Sequence, residues 1–580
     1  MKIPKHTVVI EYPYPEIDRG LYPVKRELGQ EFNVFADVYK DGHEAPKAFL
    51  KYKHFKDKKW SKTTMQHFND HRWKGSFTLE KLGLYHYTVE AYPENHADMV
   101  SEYDKILEVI VDPEKARYST WYEMWPRSQG KIEGQSATFD DMIERLKEIH
   151  SMGFDVIYLP PFHPIGKTNK KGPNNSLVAS PEDPGCPYSI GNEFGGHKAI
   201  EPSLGTMDDF RRFVKACNSY SIEVAMDIVY TCSPDHPYLK EHPEWFYHNE
   251  DGSIKYAENP PKKYEDVHPF NFYPENYIDM WNEMVSIFTF WAEMGVKIFR
   301  VDNPHTKPMG FWDYALKKVK EQYPEAIFLS EAFTHPKMMK CLAKIGFTQS
   351  YTYFTWRNTK WELSSYVKEL NQTEMAEYFR PNFFTNTPDI LSEYLQKGGR
   401  NAFKIRLALA ATLSSSYGIY NGFELCENAA IPGKEEYINS EKYEFKVWNW
   451  DRPGNIKLYI KAINTIRKNN PALQFNNNIE FVESDNENIL AYYKTTPDLS
   501  NIILCVVNLD PYHVRDSTLY IPFNHWGIRQ GDNYTVIDLL SGQTFIWKDS
   551  KNYVKLDPYV EPVHIFHVNK WKHYEKDFSL

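Results

Sequence analysis

Val296-Lys297-Ile298-Phe299-Arg300-Val301-Asp302-Asn303 is the stretch from which the fold is read. A β-branched and aromatic run ends in an arginine, a carboxylate and an amide, and Pro304 then stops the extended segment. A buried parallel strand delivers charge to its C-terminal mouth in this way. Arg300 stands two residues before Asp302, on the same face of the strand, where it would keep Asp302 ionised. Further on, Ala326-Ile327-Phe328-Leu329-Ser330 runs into Glu331. One βα unit of about 30 residues separates equivalent points of neighbouring parallel strands, so both acids are expected at one rim. Two rim carboxylates fit sugar transfer, which passes through a cationic oxocarbenium-like state: an ionised Asp faces the anomeric carbon while a second acid keeps its proton near neutral pH. On spacing alone, structural ion pairs account for these residues equally well.

Working outward, strands are predicted at Tyr122–Trp125, Val156–Leu159, Val224–Tyr230, Val296–Val301, Ile327–Ser330, Tyr351–Phe354, Asn382–Thr385 and Tyr417–Tyr420. Helical patterns lie between them, as in Phe139–Ile149, whose apolar residues recur at i, i+3 and i+7. Strand and helix alternating eight times is a (β/α)8 TIM barrel, so the fold class is α/β. The barrel and a following helix near Ile456–Asn469 occupy 113–470, with long inserts near 161–200 and 232–278 that would shape a substrate cleft. Period-two runs divided by Gly, Pro and Asp predict antiparallel β-sandwiches on either side: an immunoglobulin-like one over 1–112 and a second over 471–580. Asp389, after the seventh strand, and Asp227, on the third, bring two more carboxylates to the barrel.

Bulk properties exclude more than they assign. A net charge of −10 over 580 residues leaves no basic face for nucleic acid. Six cysteines without CxxC pairs read as free thiols in a reducing compartment. The Met1–His6 start leads into too short an apolar stretch for a signal peptide, and no run approaches a membrane span. A cytoplasmic protein without membrane contact is expected. The 16% aromatic content suits stacking on sugar rings as well as filling a core. Gly166-Lys167-Thr168 imitates the end of a P-loop, but Pro161 stands at the earlier glycine position. His236, His268 and His305 have no metal-ligand pairing, so they are expected at the rim touching sugar, with no metal and no cofactor.

Asp227-Ile-Val, Phe299-Arg-Val-Asp302, Leu329-Ser-Glu331 and Asn386-Thr-Pro-Asp389 resemble the four short signatures of the α-amylase superfamily. Trp121-Tyr-Glu-Met-Trp-Pro-Arg127-Ser128, Tyr158–Gly166, Lys171–Ser176, Ser233–Pro237, Glu258–Tyr264, Asp302–Pro308 and Ser440–Tyr443 are similar, more specifically, to α-1,4-glucan:maltose-1-phosphate maltosyltransferases. The resemblance implies retaining transfer of a maltosyl unit from α-maltose 1-phosphate to the non-reducing end of a glucan, with release of phosphate, in building a glycogen-like polymer. It implies Asp302 as nucleophile, Glu331 as general acid and then base, and Asp389 as transition-state stabiliser. It places Lys171, Asp266, Asn303, Lys442 and Tyr443 at the donor, where a phosphate leaving group needs cationic and hydroxyl partners. Thr231 stands where that family usually has Gln, with a shorter reach to the donor. The first 112 residues are too short for the helical insertion that supports the family's homodimer. Thr231-Cys232 and Pro388 replace the Asn-His and His of ordinary amylases, so amylase calcium contacts are not expected. Two other readings stand beside this one: an amylase-type hydrolase or transglycosidase that uses no sugar phosphate, and a non-catalytic glucan-binding protein.

Overall fold

The computed structural model describes residues 7–259 and 262–570. The reading of Met1–His6, and Pro260 and Pro261 of the Glu258–Tyr264 motif, fall outside the described residues. Eight strands answer to the predicted series: β1 (Ser119–Glu123), β2 (Val156–Leu159), β3 (Glu223–Ile228), β4 (Ile298–Val301), β5 (Ile327–Ser330), β6 (Gln349–Ser350), β7 (Asn382–Phe384) and β8 (Ser416–Tyr420). After each comes a helix: α1 (Phe139–Met152), α2 (Met207–Ser219), α3 (Tyr277–Glu293), α4 (Met309–Gln322), α5 (Pro336–Ile345), α6 (Lys360–Asn371), α7 (Glu393–Leu413) and α8 (Lys457–Asn469). The chain divides into two compact units, one of Tyr118–Asp302, Tyr351–Thr373 and Pro381–Leu580, the other of Met1–Arg117, Asn303–Ser350 and Glu374–Arg380.

In the larger unit six strands pair in the order β4-β3-β2-β1-β8-β7, every neighbour parallel. All four residues of β2 and of β4 are buried, which is why these strands read as unbroken apolar runs rather than alternating ones. The surrounding helices are set by local chemistry. Thr138 caps α1 by accepting from Asp141 N–H while the Asp141 carboxylate returns to the Thr138 N–H, and Gly153 ends the helix at φ 90°. Phe139, Met142, Leu146 and Ile149 then bury one face. Thr206 with Asp209 and Thr359 with Glu362 start α2 and α6 by the same reciprocal cap. Beyond α8 an eight-stranded antiparallel sheet carries its own core, with Trp526, Tyr534, Leu504 and Phe566 at its centre.

The smaller unit holds the N-terminal sheets, β5 parallel to β6, and helices α4 and α5. Val9–Tyr14, Glu31–Tyr39, Arg72–Thr78 and Gln66–Asn69 form one antiparallel sheet. A six-stranded sheet centres on Gly83–Pro93 and is antiparallel except that Val24–Glu27 runs parallel to Leu107–Asp112. Buried charge ties this unit internally: Arg380 reaches Asp112 at 2.6 Å and Glu27 at 2.8 Å, and Lys25 Nζ donates to Ala343 O at 2.7 Å.

One predicted strand is misplaced. Tyr351–Phe354 has the aromatic, β-branched character of a strand, yet the sixth strand is Gln349–Ser350 and Tyr353–Trp356 forms a 3-10 turn. The backbone there is spent locally. Thr352 Oγ1 accepts from Phe354 N–H, and the buried Arg406 guanidinium donates to Phe354 O and Arg357 O at 2.6 Å each. The aromatic rings serve packing instead, Phe354 stacking on Phe383 with centroids 4.6 Å apart. All six cysteines are free thiols, and no helix among the described residues is long and apolar enough to cross a membrane.

Candidate active site

Strand register builds the first cluster. Asp227 on β3 lies directly opposite Arg300 on β4. Arg300 Nη1 donates to both Asp227 oxygens at 2.9 Å and to Asp302 Oδ1 at 2.9 Å, with Arg300 only 7% exposed. Asp302 follows β4, its N–H held by Ile228 O at 2.9 Å. Tyr158 on β2 and Tyr188 in the first insert complete the shell, donating to Asp227 Oδ2 at 2.7 and 3.1 Å. Burial pushes Asp227 up to about 6, against the pull of Arg300 and the Tyr158 hydroxyl, so it remains an anion at neutral pH. Glu123, at the end of β1, is also buried, and desolvation lifts its carboxyl well above the usual range despite Arg300 and the Trp125 indole.

The second cluster is assembled from loops. Lys442 Nζ donates to Asp389 Oδ1 and Oδ2 at 2.8 and 3.0 Å and lies 4.9 Å from the centre of the Tyr188 ring. Burial works against the Lys442 charge, but Asp389 and its surroundings hold its pKa well above the ordinary value. Thr231 Oγ1 donates to Tyr188 O at 3.2 Å. Lys171 and Asp266, both buried, face each other at 3.6 Å; burial raises the Asp266 carboxyl, while Lys171 and, farther off, Lys442 oppose it. Tyr443 is largely buried, and desolvation raises its hydroxyl, Lys442 opposing. Tyr188 is therefore the hub, touching Asp227 through its hydroxyl, Lys442 through its ring and Thr231 through its carbonyl.

In the smaller unit, Asn303 takes the left-handed conformation at φ 41° and directs its N–H to Glu331 Oε2 at 3.1 Å. Asn tolerates that backbone better than most residues. Glu331 follows β5, as the sequence predicts.

With this geometry in view, comparison with known proteins is decisive. Family models match at residues 6–144 (alpha-1,4-glucan:maltose-1-phosphate maltosyltransferase, domain N/S), 123–293 (alpha amylase, catalytic domain) and 481–568 (GLGE, C-terminal). The alpha-1,4-glucan:maltose-1-phosphate maltosyltransferase of Chlorobaculum tepidum is 45% identical over 648 residues, covering 97% of this chain and 97% of that one. That of Myxococcus xanthus is 41% identical over 657 residues, covering 99% of each. The chain belongs to the α-1,4-glucan:maltose-1-phosphate maltosyltransferase family. The first alignment is longer than the 580 residues present here, so that maltosyltransferase carries segments this member lacks. Among solved structures, an α-amylase of Geobacillus thermoleovorans superposes with a TM-score of 0.61 at 15% identity, over 78% of this chain and 99% of that one. A maltogenic α-amylase of Thermotoga neapolitana gives 0.59 at 21%, over 79% and 99%. The barrel read from the sequence is the fold of these α-amylases.

Within the maltosyltransferase fold the histidines depart from expectation. His236 is buried rather than at a rim touching sugar, and Cys232, four residues earlier, lies with it and His197 in one cluster. Val229 O can only accept, so His197 Nε2, at 2.8 Å, carries its proton; Tyr238 N–H donates to His236 Nδ1 at 3.0 Å. His236 Nε2 must then donate to His197 Nδ1, 3.0 Å away. Every ring nitrogen of the pair is thereby used. Desolvation lowers both pKa values, that of His236 to about 3. Two glycines close over the ring: a Cβ on Gly191 or Gly196 would fall 2.3 or 2.1 Å from His236. Sequence reading missed Tyr188, Glu123 and the His197–His236 pair; Tyr188 meets Asp227 39 residues away, and His197 meets His236 39 residues away.

Proposed function

We propose that this chain transfers a maltosyl unit from α-maltose 1-phosphate to the non-reducing end of an α-1,4-glucan, retaining the α configuration and releasing phosphate. The observation that carries this reading is likeness to maltosyltransferases along nearly the whole chain, with Asp302, Glu331 and Asp389 all present. Asp302, kept anionic by Arg300, attacks the anomeric carbon as the bond to the phosphate oxygen breaks, giving a β-maltosyl enzyme. Glu331 protonates the departing oxygen. In the second step Glu331 takes the proton of the acceptor hydroxyl as that oxygen displaces Asp302, so two inversions restore the α configuration. Asp389 stabilises the oxocarbenium charge. Lys171 and Lys442, with Tyr443, Thr231, Asp266 and Asn303, hold the donor, the two ammonium groups offsetting the phosphate charge. A cytoplasmic location accords with six free thiols.

The deciding assay is phosphate release from α-maltose 1-phosphate with and without a maltooligosaccharide. Acceptor-dependent release, with products growing by two glucose units, is the expected result. Shortening or redistribution of the glucan without phosphate release would replace the proposal with an amylase-type reaction.

A further inference from the structure

We propose that Arg127 is a positioning residue for donor binding, fixing Lys442 and Tyr188 at the spacing the sugar phosphate requires. This rests on the reading of Lys442 as a donor contact. Arg127 sits on the Pro126–Ser128 turn that follows β1, is 6% exposed, and among the described residues makes no hydrogen bond to a carboxylate. Two arms of its fork bond main-chain carbonyls, Nε to Glu441 O at 3.1 Å and Nη2 to Glu441 O at 2.9 Å, Lys442 O at 2.8 Å and Gly185 O at 2.9 Å, while Nη1 is buried without a hydrogen-bond partner among the described residues.

These acceptors belong to two loops far apart in sequence. Lys442 carries the ammonium that pairs with Asp389, and Gly185 lies three residues before Tyr188, the ring under that ammonium. One guanidinium therefore sets the separation of the two partners. The loop is held from its other side as well, since the buried Glu441 side chain accepts from Tyr420 at 2.6 Å, Asn421 at 2.7 Å and the Trp448 indole at 3.1 Å. Residue 442 thus follows a residue pinned through both its main chain and its side chain, which leaves its own four-carbon stem as the free variable.

A cation so buried is costly: desolvation brings Arg127 down to about 10. Lysine cannot replace it. A single ammonium lacks the rigid fork that spans three carbonyls on two loops. The motif Trp121–Ser128 consequently has a task distinct from contact with the reacting sugar.

The test is a double-mutant cycle on donor KM, using Arg127→Lys, Lys442→Met and the pair, with kcat and acceptor KM measured alongside. Lys442→Met is expected to raise KM for α-maltose 1-phosphate, and Arg127→Lys to raise it by about 10-fold with acceptor KM unmoved. Adding Arg127→Lys to Lys442→Met should then change donor KM by less than about two-fold. Equal factors in both backgrounds, or an unchanged donor KM in Arg127→Lys, would overturn the role of Arg127 while leaving Lys442 in place. An unchanged donor KM in Lys442→Met would instead remove Lys442 from the donor site and the positioning role with it. If Arg127→Lys does not fold, Arg127→Gln is carried through the same cycle; failure of both to fold would make Arg127 a residue of the fold alone and end the proposal.

Discussion

The Arg300 and Lys442 clusters both pair a cation with a carboxylate, yet they are built in opposite ways. Arg300 and Asp227 stand opposite each other on adjacent strands, both buried, with geometry dictated by β-register, and Asp302 follows directly after β4. Lys442 and Asp389 come from loops 53 residues apart, and the Asp389 side chain is 52% exposed. The first cluster cannot exchange partners without leaving a charge stranded in the interior. The second can hand its lysine to an incoming anion at little cost, because water and the Tyr188 ring remain to receive it. On the proposed mechanism the first holds the nucleophile ready and the second meets and releases the phosphate.

The comparison breaks most visibly at Arg300. Arg300→Met should lower kcat by roughly 1,000-fold and cost about 3–5 kcal/mol of stability, because Asp227 is left buried without its cation. Steady-state kinetics and urea unfolding read the two effects, and a stable variant with lost turnover would show that Asp227 does not need the pair. Lys442→Met sharpens the contrast from the other side: its urea midpoint should move by no more than about 1 kcal/mol in stability even where donor KM rises. A loss as large as that of Arg300→Met would place Lys442 among the structural charges.

A smaller effect concerns pH. His236 at about 3 and His163 at about 4 lie below the unfolded value near 6.5, so the unfolded chain binds more protons between those limits. Stability is therefore present in full above about pH 6.5 and is lost as pH falls toward 4. His163→Asn, which keeps a donor for Ala199 O where His163 Nδ1 lies at 2.9 Å, should flatten the pH dependence of Tm in that window. An unchanged slope would show that His163 titrates alike in both states.

What was legible in the sequence follows from the same contrast. Arg300 and Asp302 share a strand face by alternation, and the charge that ends an apolar run marks a barrel mouth, so strand positions can be read locally. Tyr351–Phe354 misled because side-chain acceptors and Arg406, over 50 residues away, decide where its backbone hydrogen bonds go. Tyr188 carries no local mark at all. Its importance lies in three contacts, with Asp227, Lys442 and Thr231, that only the folded inserts bring together. Periodicity exposes what one element arranges; it is silent on what two loops share.

Gly191 and Gly196, pressed on the His236 ring, also bear on how the first insert can be re-engineered. A combinatorial library randomised across 188–197 to change sugar preference would be filtered at these two positions before any sugar was tested. Clones that survive should be enriched in glycine at both, and deep sequencing of the unselected but soluble fraction would display that bias. Diversity belongs at Glu193 and Phe194, whose side chains face solvent, where mutational freedom is not mortgaged to a buried imidazole.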